Sequence, residues 1–383
     1  MAERIRNPDW EEDAELKQDL NRYVLQNLSR REILDFVSRD YAQYAWSLGT
    51  LSRRLAFFNI KYVEYNTDLN DVVTAVQKEL EGPGQYLGYR SIHRKIREQH
   101  NLAVPRNLVY DLMTEFDPEG LERRGNVGVK KHKRGNAGTF TSMGPNHTHS
   151  GDGHDKLLGY MNYTFPLAVY GLQDAYSVIS DNLRLDKGTE TGHMATIHSY
   201  LRQQGDEDIN GAETVHYGPS TSNKIERWWR ELHNRFERFF KRQLMMLLER
   251  GHYDPNNETD RNLLAFVYIP VVQKEMDIFR ETVWNSHRVR YQRHTQLPKG
   301  IPNHLYSFPQ QYGAEDCGLP VTHQALDEVA EISGVMDVGD DFLSHSVRRE
   351  CERVIPNIEN VKAIDAADTY LFLKANYQQP PPQ

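Results

Sequence analysis

An amphipathic segment at residues 222–250 constrains the fold more than any other feature of this sequence. Its large apolar residues recur at intervals of three and four, the spacing that places side chains on one side of an α-helix. These residues are Ile225, Trp228, Trp229, Leu232, Phe236, Phe239, Phe240 and Leu244. A helix with so broad an apolar face has to pack against another layer of the protein. We therefore predict a folded core around it.

The residues before this helix predict a mixture of strands and helices. The run "YTFPLAVYGL" (residues 163–172) and the shorter run "NLRL", which ends beside Asp186, are typical of strands. The segment "GHMATIHSYLRQQ" predicts a helix, and a second long helix follows at residues 261–285. Strands that alternate with helices indicate an α/β fold for this part of the chain.

The first 120 residues predict helices only. Ser29 can cap "RREILDFV", and "SLGTLSRRLAFF" supplies a second apolar stripe that includes Leu48, Leu51 and Leu55. The pattern recurs in "LNDVVTAVQKEL", "SIHRKIREQ" and "NLAVPRNLVYDLMTEF". We interpret these as two helix-turn-helix units in tandem, with a plain helical bundle as the alternative for each. The arginines expected on their outer faces to contact DNA are Arg53, Arg54, Arg94 and Arg106, with Arg90, Lys95 and Arg97 beside them.

The charges are segregated along the chain, although the net charge is −8. Residues 315–374 hold 13 acidic and 5 basic residues and so account for the whole net charge. Residues 82–134 hold 11 basic and 6 acidic residues, and Lys130 and Lys131 lie in a glycine-rich basic stretch. Separate basic segments indicate a partner with phosphates, such as DNA, whereas ordinary solvated helix faces are the alternative.

Other classes of protein are disfavoured by composition. No run approaches the ~20 apolar residues of a membrane span, so we expect an intracellular protein without a membrane partner. Only two cysteines occur, which excludes a disulfide framework and a cysteine-based zinc finger. The basic stretch is also typical of a nuclear-localisation signal, so we expect the nucleus, or the cytoplasm before import.

The stretch "GPNHTHSGDGHDKL" is open to two interpretations. The first is a metal-dependent hydrolase whose ligands are His147, His149, Asp152 and His154. The spacing H-x-H-x-x-D-x-H carries one residue more than such motifs usually have, and no later histidine stands in a motif that would complete the site. In the second interpretation Asp152 is the functional residue of this stretch, and the histidines have no chemical role.

Three carboxylates could bind divalent metals for phosphoryl transfer. Asp152 follows a glycine in the stretch just quoted, Asp186 ends a predicted strand, and Glu226 lies near the start of the long helix. Such chemistry needs hard oxygen ligands that converge from strand ends and a helix. Arg230 and His233 follow Glu226 by one and two helical turns, which suits contacts with phosphate. The alternative for Glu226 is an ordinary exposed helix glutamate.

Residues 87–320 resemble the integrase-core proteins of animal genomes, which are relatives of retroviral integrases and DDE transposases. The resemblance rests on motifs in the family's order: "GYRSIH", "DPEGLERR", "GPN", "GDGHDKL", "DKGTETG", "IERWW" and "WNSHRVRYQRH". It implies an RNase H-like core in which Asp152, Asp186 and Glu226 are catalytic and hold two Mg²⁺ or Mn²⁺ ions. It also implies DNA as the substrate and strand transfer as the reaction.

One spacing departs from the family. Glu226 follows Asp186 by 40 residues, as expected, but Asp186 follows Asp152 by only 34. The strands, hairpin and helix that an RNase H-like core places between its two aspartates need roughly 40 residues or more. The third strand and the first helix are therefore predicted to be missing. "HTHSGD" is also a poor strand sequence, because Gly151 precedes the aspartate.

The chain is accordingly predicted to be α/β, with a shortened RNase H-like integrase core preceded by all-α tandem helix-turn-helix units. The predicted boundaries are 1–65 and 66–124 for the two helical units, 125–143 for a basic flexible linker, 144–312 for the core, and 313–383 for an acidic region with a disordered tail. The predicted function is DNA integration, and self-association is also expected. A non-catalytic, transposon-derived DNA-binding protein and the metal-dependent hydrolase are the alternatives.

Overall fold

The computed structural model describes residues 10–126, 143–154, 157, 164–172, 178–185, 192–205, 209–217, 225–290, 298–334 and 341–379. They belong to two compact units. The first unit comprises Met1–His132, Ile278–Arg290 and Lys299–Phe308, and the second comprises Lys133–Asp277, Tyr291–Pro298 and Pro309–Gln383. No helix in these ranges is both long enough and apolar enough to cross a membrane.

Helices outnumber strands in the described residues. The α-helices are α1 (Ala14–Leu25), α2 (Arg30–Asp40), α3 (Leu48–Phe57), α4 (Leu69–Glu81), α5 (Tyr89–His100), α6 (Arg106–Phe116), α7 (Pro118–Asn126), α8 (Gly192–Gly205), α9 (Ile225–Leu232), α10 (Arg238–Glu249), α11 (Glu258–Ile278), α12 (Pro302–Ser307), α13 (His323–Ser333), α14 (His345–Val354) and α15 (Ala366–Asn376). The strands are β1 (Thr148–His154), β2 (Val169–Leu172), β3 (Val178–Ile179), β4 (Asn182–Leu185), β5 (Val215–Tyr217) and β6 (Leu319–Pro320). Two π-helical segments, His233–Glu237 and Phe279–Asn285, join or extend the longer helices.

The helices of the first unit begin at well-formed caps. Ser29 caps α2, as the sequence predicted. The structure adds a reciprocal capping box with Glu32, and Ser47 forms the same motif at α3. The core beneath them includes Ile33 and Leu51, both fully buried. Leu48 is exposed, so the prediction that it belongs to the apolar stripe is wrong. The helix-turn-helix assignment of these helices stays a prediction.

Arg54 does not lie on the outside of α3, so that prediction is wrong. Its side chain is only 2% exposed, and its guanidinium lies over the rings of Trp10, Tyr44 and Trp46, at 4.9, 5.3 and 4.1 Å from their centroids. Burial lowers the pKa of Arg54. Arg54 follows Leu51 by three residues and so shares the inward side of the helix, where aromatic faces take the place of a carboxylate partner.

Two basic residues of α5 are also buried, against prediction. Arg97 donates hydrogen bonds to the carbonyl oxygens of Leu25 (2.9 Å), Tyr62 (2.8 Å) and Val24 (2.6 Å), and so joins α5 to α1 and to the chain after α3. Lys95 forms a buried ion pair with Glu79 at 2.5 Å. Both charged groups have polar partners inside the unit, and such partners make their burial possible. The spacing of apolar residues in the sequence does not show these partners.

The second unit contains a mixed four-stranded sheet with the order β2-β1-β4-β5. β1 pairs antiparallel with β2 and parallel with β4, and β4 pairs parallel with β5. The segment "THSGDGH" therefore forms a central strand, and the prediction that this stretch is a poor strand is wrong. Hydrogen bonding to neighbours on both sides compensates for its two glycines. α8 packs against β4 and β5.

The segment between β2 and β4 is short. Its described residues contain β3, which pairs with β6 in a separate two-stranded sheet, and no helix. β4 thus follows β2 in the chain but lies on the other side of β1.

The acidic C-terminal residues fold as part of the second unit. Tyr370 and Leu373 of α15 are fully buried. Lys374 forms an ion pair with Asp260 of α11 at 2.6 Å, and Gln243 of α10 donates a hydrogen bond to the Ala363 carbonyl oxygen at 3.0 Å. These contacts make α15 a structural cover for α10 and α11.

Candidate functional site

Asp152 lies on β1, the strand that pairs with both β2 and β4. Its Oδ2 accepts a hydrogen bond from the indole Nε1–H of Trp229 at 2.8 Å. Trp229 lies on α9 and is 3% exposed, whereas Asp152 is half-buried. This bond fixes the orientation of the Asp152 carboxylate toward α9, and α9 packs against β1.

Glu226 lies on α9, three residues before Trp229. Residues three apart on a helix are neighbours on its surface, so position 226 is one turn from the residue that contacts Asp152. The side chain of Glu226 is outside the described part of the structure.

Asp186 itself is outside the described residues, but the strand before it is well defined. In the parallel ladder between β1 and β4, Ser150 is opposite Arg184. Two positions further along the sequence are Asp152, which is still on β1, and Asp186, which follows the last residue of β4. Side chains two apart on a strand share a face, and partners in a parallel pair lie on the same face.

The four members of the histidine cluster do not lie on one face. In a strand, successive side chains point to opposite faces, so His149 lies opposite to Asp152. The buried His149 ring instead forms a hydrogen bond with Asn146 at 3.1 Å, and His147 contacts Thr148 at 3.1 Å. The side chain of His154 is outside the described part. The described geometry therefore gives the hydrolase hypothesis no support.

Arg230 and His233 follow Glu226 along the same helix. Arg230 is exposed. His233 lies in the π-helical segment, where its Nδ1 is 3.0 Å from Oε2 of the fully buried Glu237. Arg230 therefore presents its charge to solvent, whereas the ring of His233 is held by an internal carboxylate.

The arginines predicted to bind DNA in the first unit differ in exposure. Arg53 and Arg106 are exposed. Arg94 is half-buried and donates hydrogen bonds to Ser91 Oγ (3.2 Å) and the Val283 carbonyl oxygen (3.4 Å). The buried Arg54 has no surface to offer. Lys130 and Lys131 lie outside the described residues.

Reasoning from sequence missed the role of Trp229. The "WW" pair was assigned only to the apolar face, although an indole N–H in a buried position usually needs an acceptor. That requirement is the signal that could have linked Trp229 to a nearby carboxylate. Among the described residues, which include neither Asp186 nor the side chain of Glu226, no group of three or more His, Cys, Asp or Glu side chains could hold a metal ion.

The comparison with protein families gives one match. The model of the family described as "Integrase core domain" matches residues 169–307. The match covers Asp186, Glu226 and Trp229, and it begins after Asp152. No curated protein and no solved structure matches the chain significantly. The match confirms the predicted resemblance to integrase core domains over residues 169–307.

Proposed function

We propose that this chain is a transposon-derived integrase-like protein that binds DNA and carries out metal-dependent strand transfer, with Asp152, Asp186 and Glu226 as its catalytic carboxylates. The observation that carries the proposal is the bond between Trp229 and Asp152. It brings one predicted carboxylate against the helix on which another predicted carboxylate lies.

The sheet supports the RNase H-like assignment. The antiparallel pair β1–β2, continued by the parallel strands β4 and β5, corresponds to an RNase H-like sheet without its third strand. In this proposal Asp186 continues the register of β4, so that it stands beside Asp152 on the same face of the sheet. The three carboxylates then converge from two strands and one helix.

The donor set fits hard divalent cations. All three predicted ligands are carboxylates, which suit Mg²⁺ and Mn²⁺ rather than the softer ions that histidine and cysteine select. Two such ions, when bound, would activate the attacking hydroxyl and stabilise the leaving oxygen of a phosphodiester. Trp229 would orient Asp152 through its hydrogen bond to Oδ2. Arg230 and His233 would contact phosphates of the DNA.

The non-catalytic alternative is favoured by one observation. The short connection between β2 and β4 contains no helix in its described residues, whereas a complete core would have a helix there. In that case the chain would keep DNA binding and lose strand transfer. For either function we propose a nuclear location, which the basic stretch that includes Lys130 and Lys131 would direct.

A nicking and strand-transfer assay on supercoiled DNA with Mg²⁺ or Mn²⁺ tests the proposal. We expect activity in the wild type that is abolished by Asp186→Asn and by Glu226→Gln. Asp327→Asn and Glu249→Gln are matched controls, because both residues are exposed and distant in sequence from the motif. DNA binding without cleavage would favour the non-catalytic alternative, and cleavage that survives both substitutions would refute the carboxylate site.

A further inference from the structure

In the first unit, α5 packs against the π-helical segment Phe279–Asn285. Arg94 and Glu98 are four residues apart and so share one face of α5. Arg94 donates a hydrogen bond to the carbonyl oxygen of Val283 at 3.4 Å. Glu98 Oε2 lies 3.4 Å from Oγ of Ser286, the residue at which the π-helical segment ends. Polar side chains of α5 thus face this segment at two points.

The hydroxyl group of Ser286 has only one hydrogen atom to donate. Ser286 is buried, and its Oγ donates to the Glu281 carbonyl oxygen at 2.7 Å. That distance is the usual one for an O–H···O hydrogen bond, whereas 3.4 Å is longer than usual. Oγ therefore has no second hydrogen for Glu98 and can only accept from it. Because a carboxylate has no hydrogen to donate, the contact is a hydrogen bond only when Glu98 carries a proton.

The rest of the Glu98 carboxyl group has no partner that suits a negative charge. Its Oε1 is buried and accepts no hydrogen bond, and no ion pair joins Glu98 to a residue in the described ranges. Neighbouring cationic groups of α5 are bound elsewhere: Arg97 to backbone carbonyl oxygens, and Lys95 and His100 to Glu79 at 2.5 and 2.9 Å. An ionised Glu98 would therefore be a buried charge without compensation.

Burial raises the pKa of Glu98 from 4.5 to about 8. Among the charged groups around it, Arg94 and Arg97 on α5 favour the ionised form, and Glu281 on the facing segment favours the neutral form. Burial outweighs the two arginines. The direction of this shift agrees with the count of hydrogen atoms at Ser286, which rests on distances alone.

We infer that Glu98 is a protonated acid that fastens residues 279–286 to α5, and that its ionisation releases this contact. The protonated carboxyl group donates its O–H to Ser286 Oγ. The ionised group has nothing to donate and places its charge against a hydroxyl oxygen that already uses its hydrogen. Phe279 and Val283 are buried on the same segment, so release exposes apolar surface to water. The inference does not depend on the proposed DNA chemistry.

The sign of the pH dependence follows from proton uptake. Between about pH 4.5 and pH 8 the folded chain holds a proton on Glu98 that the unfolded chain releases. The stability that Glu98 contributes is therefore complete below about pH 4.5 and is lost as the pH rises to about 8. This direction is opposite to that expected for a buried histidine.

Urea unfolding of the full chain from about pH 5 to pH 9 tests the inference with Glu98→Gln. The glutamine amide donates an N–H to Ser286 Oγ at every pH. The unfolding equilibrium constant of the wild type, divided by that of the variant, should rise about tenfold for each pH unit up to about pH 8. Contributions of other titrating groups cancel in this ratio. Glu115→Gln is the matched control, because Glu115 is exposed, and its ratio should stay constant.

Hydrogen exchange of the peptide that contains residues 279–286 reports on the contact itself. Near pH 9 this peptide should exchange at least about tenfold faster in the wild type than in Glu98→Gln, and near pH 6 equally fast. A ratio of equilibrium constants that does not change with pH, or equal exchange near pH 9, would overturn the inference.

Infrared spectroscopy of the wild type keeps the inference testable if Glu98→Gln does not fold. Ordinary aspartates and glutamates are ionised at pH 7, so the C=O stretch of a protonated carboxylic acid should persist there only for a group such as Glu98. The band should disappear by about pH 10. Its absence at pH 7 would overturn the inference.

Discussion

Two basic helices of this protein use their charges in opposite ways. On α5, Lys95 and Arg97 are 6% and 2% exposed, and both form contacts inside the first unit. On α9 and α10, Arg230, Arg238 and Arg242 are exposed, and the buried residues are mostly apolar or aromatic. A count of basic residues is high for both segments. The comparison teaches that the number of basic residues in a helix does not tell how many of their charges reach the surface.

The physical reason is the cost of an unpaired charge in the interior. A buried arginine needs acceptors for its N–H groups, and Arg97 finds them in three backbone carbonyl oxygens. An arginine at the surface is solvated by water and can exchange that water for phosphate. The two kinds of arginine should therefore respond differently to substitution.

The largest effect is expected for Arg97→Met. The substitution keeps an unbranched side chain but leaves three carbonyl oxygens without their donor, so the free energy of unfolding should fall by about 3 kcal/mol or more. Urea denaturation followed by circular dichroism measures it. Arg106→Met is the control, because Arg106 is exposed and should change the stability by less than about 0.5 kcal/mol. Similar losses of unfolding free energy in the two variants would contradict the distinction between buried and exposed arginines.

A buried base in the second unit should make stability depend on pH. Burial, and secondarily the charge of Arg202, lowers the pKa of His198 from 6.5 to about 4. The unfolded chain therefore takes up a proton between pH 6.5 and 4 that the folded chain does not, so stability should fall as the pH drops through this window. The loss is on the order of 3 kcal/mol. Urea midpoints at pH 7 and pH 4.5 measure it.

In His198→Gln this dependence should be weaker, because the side chain no longer titrates. Thr214 donates its hydroxyl hydrogen to the Gly211 carbonyl oxygen at 2.7 Å, so it accepts from His198 Nε2 at 3.1 Å. The glutamine amide can donate the same bond. An undiminished pH dependence in this variant would assign the effect to another group.

A smaller effect is expected for Trp229→Phe. The phenyl ring preserves most of the packing, but the bond to Asp152 is lost, so the second unit should lose about 1–2 kcal/mol. Urea unfolding measures the change. Trp228→Phe, at a half-buried neighbouring position, should cost less. If the two substitutions cost the same, the bond between Trp229 and Asp152 contributes little.

The smallest effect on stability is expected for Arg53→Glu with Arg106→Glu, because both residues are exposed. We expect a change of less than about 0.5 kcal/mol in the free energy of unfolding. DNA affinity, measured by anisotropy, should nevertheless fall, because each reversed charge repels phosphate. Unchanged affinity would remove the first unit from the DNA-binding surface.

Much of the fold was predictable from the sequence because helical periodicity and caps are local signals. Ser29 at α2 and the apolar face of α9 and α10 are examples. The errors have a common cause. β1 is stabilised by its neighbours β2 and β4, and Arg54 by aromatic rings that lie outside its own helix, and neither is visible in a local pattern.

The site was predictable only in part. The motifs marked Asp152 and Glu226, and the structure places Asp152 against α9. The hydrogen bond from Trp229 depends on packing, since the indole acquires this role only when the helix is docked against β1. The sequence shows which residues are present, and the tertiary contacts decide which of them act together.

The most direct test of the central claim, that three carboxylates converge on one metal site, is terbium luminescence. Tb³⁺ stands in for Mg²⁺ as a hard cation, and Trp229, bonded to Asp152, would sensitise its emission. The account predicts sensitised emission in the wild type that Mg²⁺ displaces and that Asp186→Asn and Glu226→Gln each weaken at least about tenfold in affinity. Glu249→Gln should have no effect. Emission that neither of the first two substitutions changes would contradict the account.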